Sequence, residues 1–447
     1  MEKSKLKIAC VGNINNAMFP IARYLADEGH KVTLFLLEEF QHFLPSADVF
    51  DSVDNVEIVE LGWHHQNFYA VSSNEIKKKF KPFDFIIGTD YSPAYFLKAR
   101  MTLDIFFPAG GDLFDYPYRK MGNYKGLPEI FRIESWRCTK YQKWALPLVG
   151  CVSMDPANEF FERFLPKLKM EKIDRIPALP FLYMKQYSEE YFLKSKFSDQ
   201  INRIKKENDF VIIQHCRQSW TCDKANLHYK ANDLLMEGFK SLVENNLEKK
   251  CKLLLLEYGE DVEQTKKLID DLGITQHVIW FPKSLRKDLL GVIKFCDVGV
   301  GELGRSWFSY GAVYEILAMK VAFIGNRNDS EFLSRSPALY PMLNATTKEE
   351  VFEGLDKILK DQEKYKELGQ KSYNWFLKYA INRSVDIIFK RVSEKNLNKK
   401  ENRIGPFLYL KLLVIDTFVK AIVLLNIIKL KSLRLFSLNA SGRTNAF

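Results

Sequence analysis

Short apolar runs that end at glycine, aspartate or proline recur along this chain with helix-patterned segments between them, and this alternation restricts the possible folds more than any other feature. The first run, "LKIACV" at 6–11, has the continuous hydrophobicity of a parallel strand buried on both faces. "VGNINNAMFPIARYLADEGHKVTLFL" then continues as turn, helix, a stop at Gly29 and a second strand. Further runs follow at 83–90 ("FDFIIGTD"), 102–112 ("TLDIFFPAGGD") and 148–155 ("LVGCVSMD"). After a charged stretch around 194–208 the pattern restarts with "DFVIIQHCRQSW", a strand over 210–214. It resumes with "CKLLLLEYG", "HVIWFP", "DVGVGEL" and "VAFIGN", separated by helical segments such as 233–245 and 262–272. Strands alternating with helices in both halves predict two Rossmann-like domains with parallel sheets. Ligands of such sheets meet the carboxyl ends of the strands, where Gly12, Gly110, Gly111 and Asp112 lie.

The first turn reads "GNINNA" rather than GxGxxG, and no acidic residue closes the second strand as a ribose partner, Glu38 and Glu39 being the nearest. A nicotinamide or flavin enzyme is therefore disfavoured. Gly110 and Gly111 read either as ordinary turn glycines or as a place of close backbone approach to a substrate. Seven cysteines are an odd number, and Cys10, Cys151, Cys251 and Cys296 stand in apolar runs where cysteine acts as a small hydrophobe. No CxxC, HExxH or HxH spacing is present, so no disulfide framework and no structural metal is expected. The start "MEKSKLKIACVG" runs straight into a strand and does not read as a secretory signal, which predicts a cytoplasmic protein. Lysine plus arginine exceed aspartate plus glutamate by 66 to 56, a formal charge of +10 that favours anionic partners in general. Neither a basic helix nor an RNP-like aromatic strand accompanies that charge, so nucleic acid is not expected as a partner.

The loop after the strand at 210–214 carries "HCRQSWTCDKANLHYKANDLL". Arg217 leaves the strand end, and Lys230 precedes "ANDLL", where Asn232 or Asp233 is placed to cap a helix. An arginine that forks across two oxygens and a lysine that supplies a mobile point charge suit a diphosphate. On their own, two such residues are as simply explained by surface salt bridges.

"RQSW…YKANDLLMEGF", "YGED", "HVIWFPKSLRKDLLGVIKFCDVGV" and "SWFSYGAVYEILAMKVAFIG", in this order, resemble the donor-binding half of the glycosyltransferase group 1 proteins, the retaining family 4 of GT-B fold. The likeness covers about 210–325 and extends to the first half in architecture only. It implies a nucleotide-diphosphate sugar as donor, with no metal or further cofactor required and the acceptor held mainly by the N-terminal domain; the donor expected is a UDP- or GDP-sugar, and the acceptor a glycan, either a cell-surface polysaccharide or a lipid-linked glycan. Arg217 and Lys230 match the family's cations that face the donor diphosphate and oppose the charge growing on it, with Trp220 on the same loop. Glu315 matches the second glutamate of the family's E-x7-E motif, a carboxylate that accepts from the ribose hydroxyls. Asp112 and Asp155 are the N-terminal carboxylates expected to meet the acceptor or take its proton, beside Gly12, Asn13, Gly110 and Gly111. The family implies retention at the anomeric carbon by front-face transfer.

One position departs from the pattern. The first glutamate of E-x7-E falls at Trp307, which cannot ionise. Either Glu302 stands in for it, or the sugar packs against Trp307, Phe308 and Tyr310 next to Gly311. A catalytically weak or inactive GT-B protein that binds a nucleotide sugar or assists assembly is the alternative this departure raises.

The organisation expected is an acceptor-side domain over 1–195, a nucleotide-sugar domain over 196–380, a crossover helix and linker over 381–404, and a helical tail over 405–447. The tail "GPFLYLKLLVIDTFVKAIVLLNIIKLKSLRLF" (405–436) is apolar, but Lys411, Asp416, Lys420 and Lys429 interrupt it short of a membrane span. Its apolar residues fall almost all round a helical wheel, and Lys429, Lys431 and Arg434 follow. A lipid interface, a partner or the protein's own domain groove would satisfy it. The basic end predicts an anionic membrane surface at the inner face of the cell membrane.

Overall fold

The computed structural model describes residues 5–37, 40–154, 162–178, 180–395 and 404–441, with side chains of the last helix described as far as residue 425 except residue 423. Asp155, Glu38 and Glu39 lie outside the described residues.

Seven parallel strands make the first sheet: β1 (Lys7–Val11), β2 (Lys31–Leu36), β3 (Val56–Glu60), β4 (Phe85–Gly88), β5 (Ile105–Phe106), β6 (Cys151–Ser153) and β7 (Asp174–Ile176), in the order 3-2-1-4-5-6-7. The second sheet contains β8 (Phe210–Gln214), β9 (Cys251–Glu257), β10 (Val278–Pro282), β11 (Val298–Val300), β12 (Ala322–Gly325) and β13 (Leu343–Asn344), in the order 10-9-8-11-12-13. The first strand of each half, β1 or β8, therefore lies inside its sheet, and Ile8, Cys10, Phe210 and Ile212 are fully enclosed. In each sheet the order reverses beside that strand, between β1 and β4 and between β8 and β11, which opens a crevice at the carboxyl ends.

Three strands have no counterpart among the apolar runs. β3, "VEIVE", is an edge strand in which only Val56 is buried, so few of its residues need be apolar. β7 and β13 are three- and two-residue edge strands, too short to carry a pattern.

The two sheets share a continuous apolar core that runs from Ile8 and Leu34 through Tyr191 and Phe192 to Leu289 and Phe323. The chain crosses back through the helix Gln362–Trp375, a π turn at Phe376–Asn382 and the helix Arg383–Lys395. Arg391 of the last of these reaches Asp174 of β7 at 2.9 Å, which ties the C-terminal segment to the N-terminal sheet. The tail forms one helix, Pro406–Ser441, laid against the helix Glu129–Ala145 of the first domain. Among the described residues, no helix is long and apolar enough to cross a membrane.

Candidate functional site

Polar side chains converge at the carboxyl edge of the second sheet because every loop that leaves it must turn there. β8 delivers His215, Arg217 and Gln218, β10 is followed by the helix that starts at Arg286, and β11 is followed by Glu302 and the helix Gly311–Ala318 that carries Glu315.

Glu315 is buried with both oxygens engaged. His215 Nε2 donates to its Oε2 at 2.9 Å, and Arg286 Nε donates to its Oε1 at 2.9 Å. Burial on its own would raise the Glu315 pKa, but the His215 hydrogen bond and the Arg286 charge outweigh it and hold the carboxyl below its usual range. Arg286 continues across the cleft. Its guanidinium reaches Asp48 at 3.1 Å, donates to the Asn15 carbonyl at 2.6 Å and lies 4.2 Å from the centre of the Phe181 ring. Burial pushes Asp48 up to about 6, against the pull of Arg286. Gly311 lets Phe181 come this close, since a Cβ there would stand 3.2 Å from the ring.

The two cations expected at the diphosphate differ in how they are held. Lys230 is clamped, its Nζ 2.7 Å from Glu302 Oε2, both side chains being largely buried. Arg217 is loose: it is partly exposed, reaches Glu260 only at 3.8 Å and lies 5.7 Å from the Tyr258 ring. Its loop is nonetheless rigid. Asp261 accepts from the backbone N–H groups of Trp220 (2.6 Å) and Thr221 (2.8 Å), and the Gln218 N–H donates to the Tyr258 carbonyl at 2.7 Å. Among the described residues, the buried His215 Nδ1 and Gln218 Nε2 of this loop find no hydrogen-bond partner. With Nε2 engaged by Glu315, His215 Nδ1 is the ring nitrogen left open to a ligand.

Asn232 does not cap its helix. Its amide accepts from the Ser219 N–H at 3.0 Å and donates to Gln214 at 2.9 Å, and Ala231, with φ 52°, makes the entry instead. Trp220 Nε1 donates to the Thr265 hydroxyl at 2.9 Å. Phe308 is core, packed with Phe332, Tyr340 and Trp375. The Tyr310 hydroxyl accepts from the Glu302 N–H at 2.7 Å, and Trp307 is half-buried with its backbone N–H on the Asn326 carbonyl.

On the N-terminal side the residues chosen from sequence hold loops. Asp112 is 1% exposed and accepts from the N–H groups of Asp90 (3.1 Å), Ala109 (3.0 Å) and Gly110 (2.9 Å). Its carboxylate oxygens are thereby engaged by three backbone N–H groups. Burial pushes its pKa up to about 6, with these N–H groups opposing. Gly110 has φ 132° and opens the short helix Gly111–Phe114, so its turn demands glycine. Gly12, at φ 85°, passes Thr89 so closely that a Cβ would fall 2.6 Å from the Thr89 methyl. Asn13 accepts from Met18 and Phe19 N–H groups at 3.1 and 3.0 Å and so starts the first helix.

His215, Arg286 and Asp48 were not singled out in the sequence. His215 directly follows β8 and Arg286 opens the helix after β10, so their place at a carboxyl edge is a usable signal. Asp48, in "LPSADVF", has none.

Two facing Rossmann-like domains with parallel sheets, a cleft lined by strand carboxyl ends and a C-terminal crossover constitute the GT-B fold. No family model matches the chain, and no curated protein matches it. Solved structures do. A glycosyltransferase from Rickettsia africae is 16% identical with a TM-score of 0.57, over 89% of this chain and 100% of that one. Anabaena HepE in complex with UDP and glucose is 12% identical with a TM-score of 0.52, over 86% and 99%. The catalytic domain of starch synthase IV from Arabidopsis thaliana bound to ADP and acarbose is 11% identical with a TM-score of 0.57, over 88% and 100%. At these identities the likeness establishes the fold alone.

Proposed function

We propose that this protein is a glycosyltransferase that moves a sugar from a nucleotide-diphosphate donor, a UDP- or GDP-sugar, to a glycan or lipid-linked glycan, with retention. The observation that carries the reading is the loop after β8. It presents the loosely held Arg217 beside two buried, unpartnered nitrogens, His215 Nδ1 and Gln218 Nε2, at the switch point of the second sheet. A diphosphate would meet Arg217 directly, and Lys230 once Glu302 releases it. A ribose hydroxyl donating to His215 Nδ1 would satisfy that open position, whereas one at Glu315 would have to displace Arg286. Solved structures of this fold that hold UDP or ADP support the same class of ligand.

In the reaction the bond between the anomeric carbon and the leaving phosphate oxygen breaks, and the acceptor oxygen bonds to the same face of that carbon. The acceptor proton passes to the departing phosphate oxygen, so no enzyme nucleophile is needed. Arg217 and Lys230 oppose the negative charge that grows on the diphosphate.

A second reading, a nucleotide-sugar-binding protein without transfer, is favoured by Trp307 standing where the family has a glutamate and by the Lys230–Glu302 pair. A release assay separates the two. Nucleoside diphosphate freed from UDP- and GDP-sugars is measured with membrane glycolipid extract as acceptor, for the wild type and Arg217→Ala. Turnover in the wild type that falls at least roughly a hundredfold in the variant supports transfer. Nucleotide binding without turnover supports the second reading.

A further inference from the structure

We infer that the tail helix and the helix beneath it form a docking surface for an anionic lipid bilayer. The inference stands apart from the nucleotide site and begins with how the tail helix is fixed. Leu412, Ile415 and Val419 are buried against the first domain. Asp416, the only acidic residue of the helix, accepts from the Tyr141 hydroxyl at 2.8 Å and lies 3.6 Å from Arg137. These contacts set the rotation of the helix about its axis, and so decide what faces outward.

At 100° per residue, the face opposite Leu412, Ile415 and Val419 carries Leu410, Leu413, Val414, Phe418, Leu424 and Leu425, each about half exposed or more. A helix resting on a domain in water normally turns its charges outward. Here the outward strip is apolar, and the charges, Lys411 and Lys420, sit along its two borders. Beside the strip lies a groove of about 530 Å³ walled by Trp136, Trp144, Leu410, Val414 and Phe418, with Lys140 along it. The Lys140 ammonium stands 5.5 Å from the Trp136 ring. Partial burial and neighbouring Lys143 both pull Lys140 below its usual range.

Charge decides between occupants. The helix sequence holds Lys411, Lys420, Lys429, Lys431 and Arg434 against Asp416, which Tyr141 and Arg137 already engage. A second copy would bring this basic set against itself. Anionic headgroups complement it, while the apolar strip enters the acyl boundary and the tryptophans sit at headgroup depth. The helix then lies in the plane of the bilayer and does not cross it.

Flotation of the full chain with vesicles tests this, using phosphatidylcholine alone and phosphatidylcholine with about one-third phosphatidylglycerol. The wild type should float with the anionic vesicles at least roughly tenfold better than with the neutral ones. Val414→Glu with Phe418→Glu should abolish flotation, and Lys140→Glu with Lys143→Glu should weaken it severalfold. Both pairs are surface changes that should leave the melting temperature and nucleotide titrations unchanged, which separates this failure from that of the donor site. No flotation, or equal flotation with both vesicles, overturns the proposal. So does a lipid-free dimer in light scattering that the Val414→Glu, Phe418→Glu chain no longer forms.

Discussion

Glu315 shows how one residue's neighbours determine what it can do. A buried carboxylate would ordinarily lose its charge, but His215 and Arg286 keep it ionised, and Arg286 carries the same network across the cleft to Asp48. On the proposed function, a donor ribose at Glu315 would compete with Arg286, and nucleotide binding would then be coupled to the contact between domains through one guanidinium. Asp112 shows the opposite balance, since burial raises it to about 6 despite three N–H donors. Its value in the unfolded chain is ~3.9, so the folded state binds the proton more tightly. Stability from this group therefore rises as pH falls from 7 towards 4. Chemical denaturation at pH 7.5 and 5 should show that rise in the wild type. It should be smaller in Asp112→Asn, which is also less stable at both pH values because one amide oxygen replaces two carboxylate oxygens among three N–H donors. An equal change with pH in the two proteins would mean that Asp112 is not the titrating group.

At the scale of elements, what could be read from the sequence follows how each element is buried. β1, β8 and β9 are enclosed on both faces and read as unbroken apolar runs, whereas β3, β7 and β13 are edges with little pattern to offer. The site was legible in the same graded way. Arg217 and Lys230 stand out as cations in a polar loop, but local sequence offers Asn232 or Asp233 alike as a helix cap, because the role of Asn232 depends on Gln214 and Ser219, 18 and 13 positions away. Arg286 and Asp48 are 238 positions apart, a pairing no local pattern encodes. The turn after β9 supports the Arg217 loop through Gly259, whose φ is 126° and whose added Cβ would fall 2.2 Å from the Gln218 carbonyl oxygen. Gly259→Ala should therefore cost roughly 1–3 kcal/mol in denaturation and weaken nucleotide binding severalfold, although residue 259 lies outside the loop. Unchanged affinity would separate the loop's position from that turn.

At the scale of the molecule, two sheets share one strand order apart from the extra edge strand β7, and the crossover helices return the chain to the first domain, where the tail helix also lies. The arrangement divides the work: the second sheet offers cations and a held carboxylate, the first offers glycine turns braced by Asp112, and the tail offers an apolar strip between lysines. On the proposed function, the loop after β8 binds a nucleoside diphosphate. Isothermal titration of the full chain with UDP, GDP and ADP, repeated for Arg217→Ala, tests it most directly, because Arg217 is partly exposed and its loss leaves the core intact. Binding of one nucleotide near micromolar strength, weakened at least roughly tenfold in the variant, is the expected result. Absence of binding to all three by the folded wild type, or equal affinity in the variant, would contradict it.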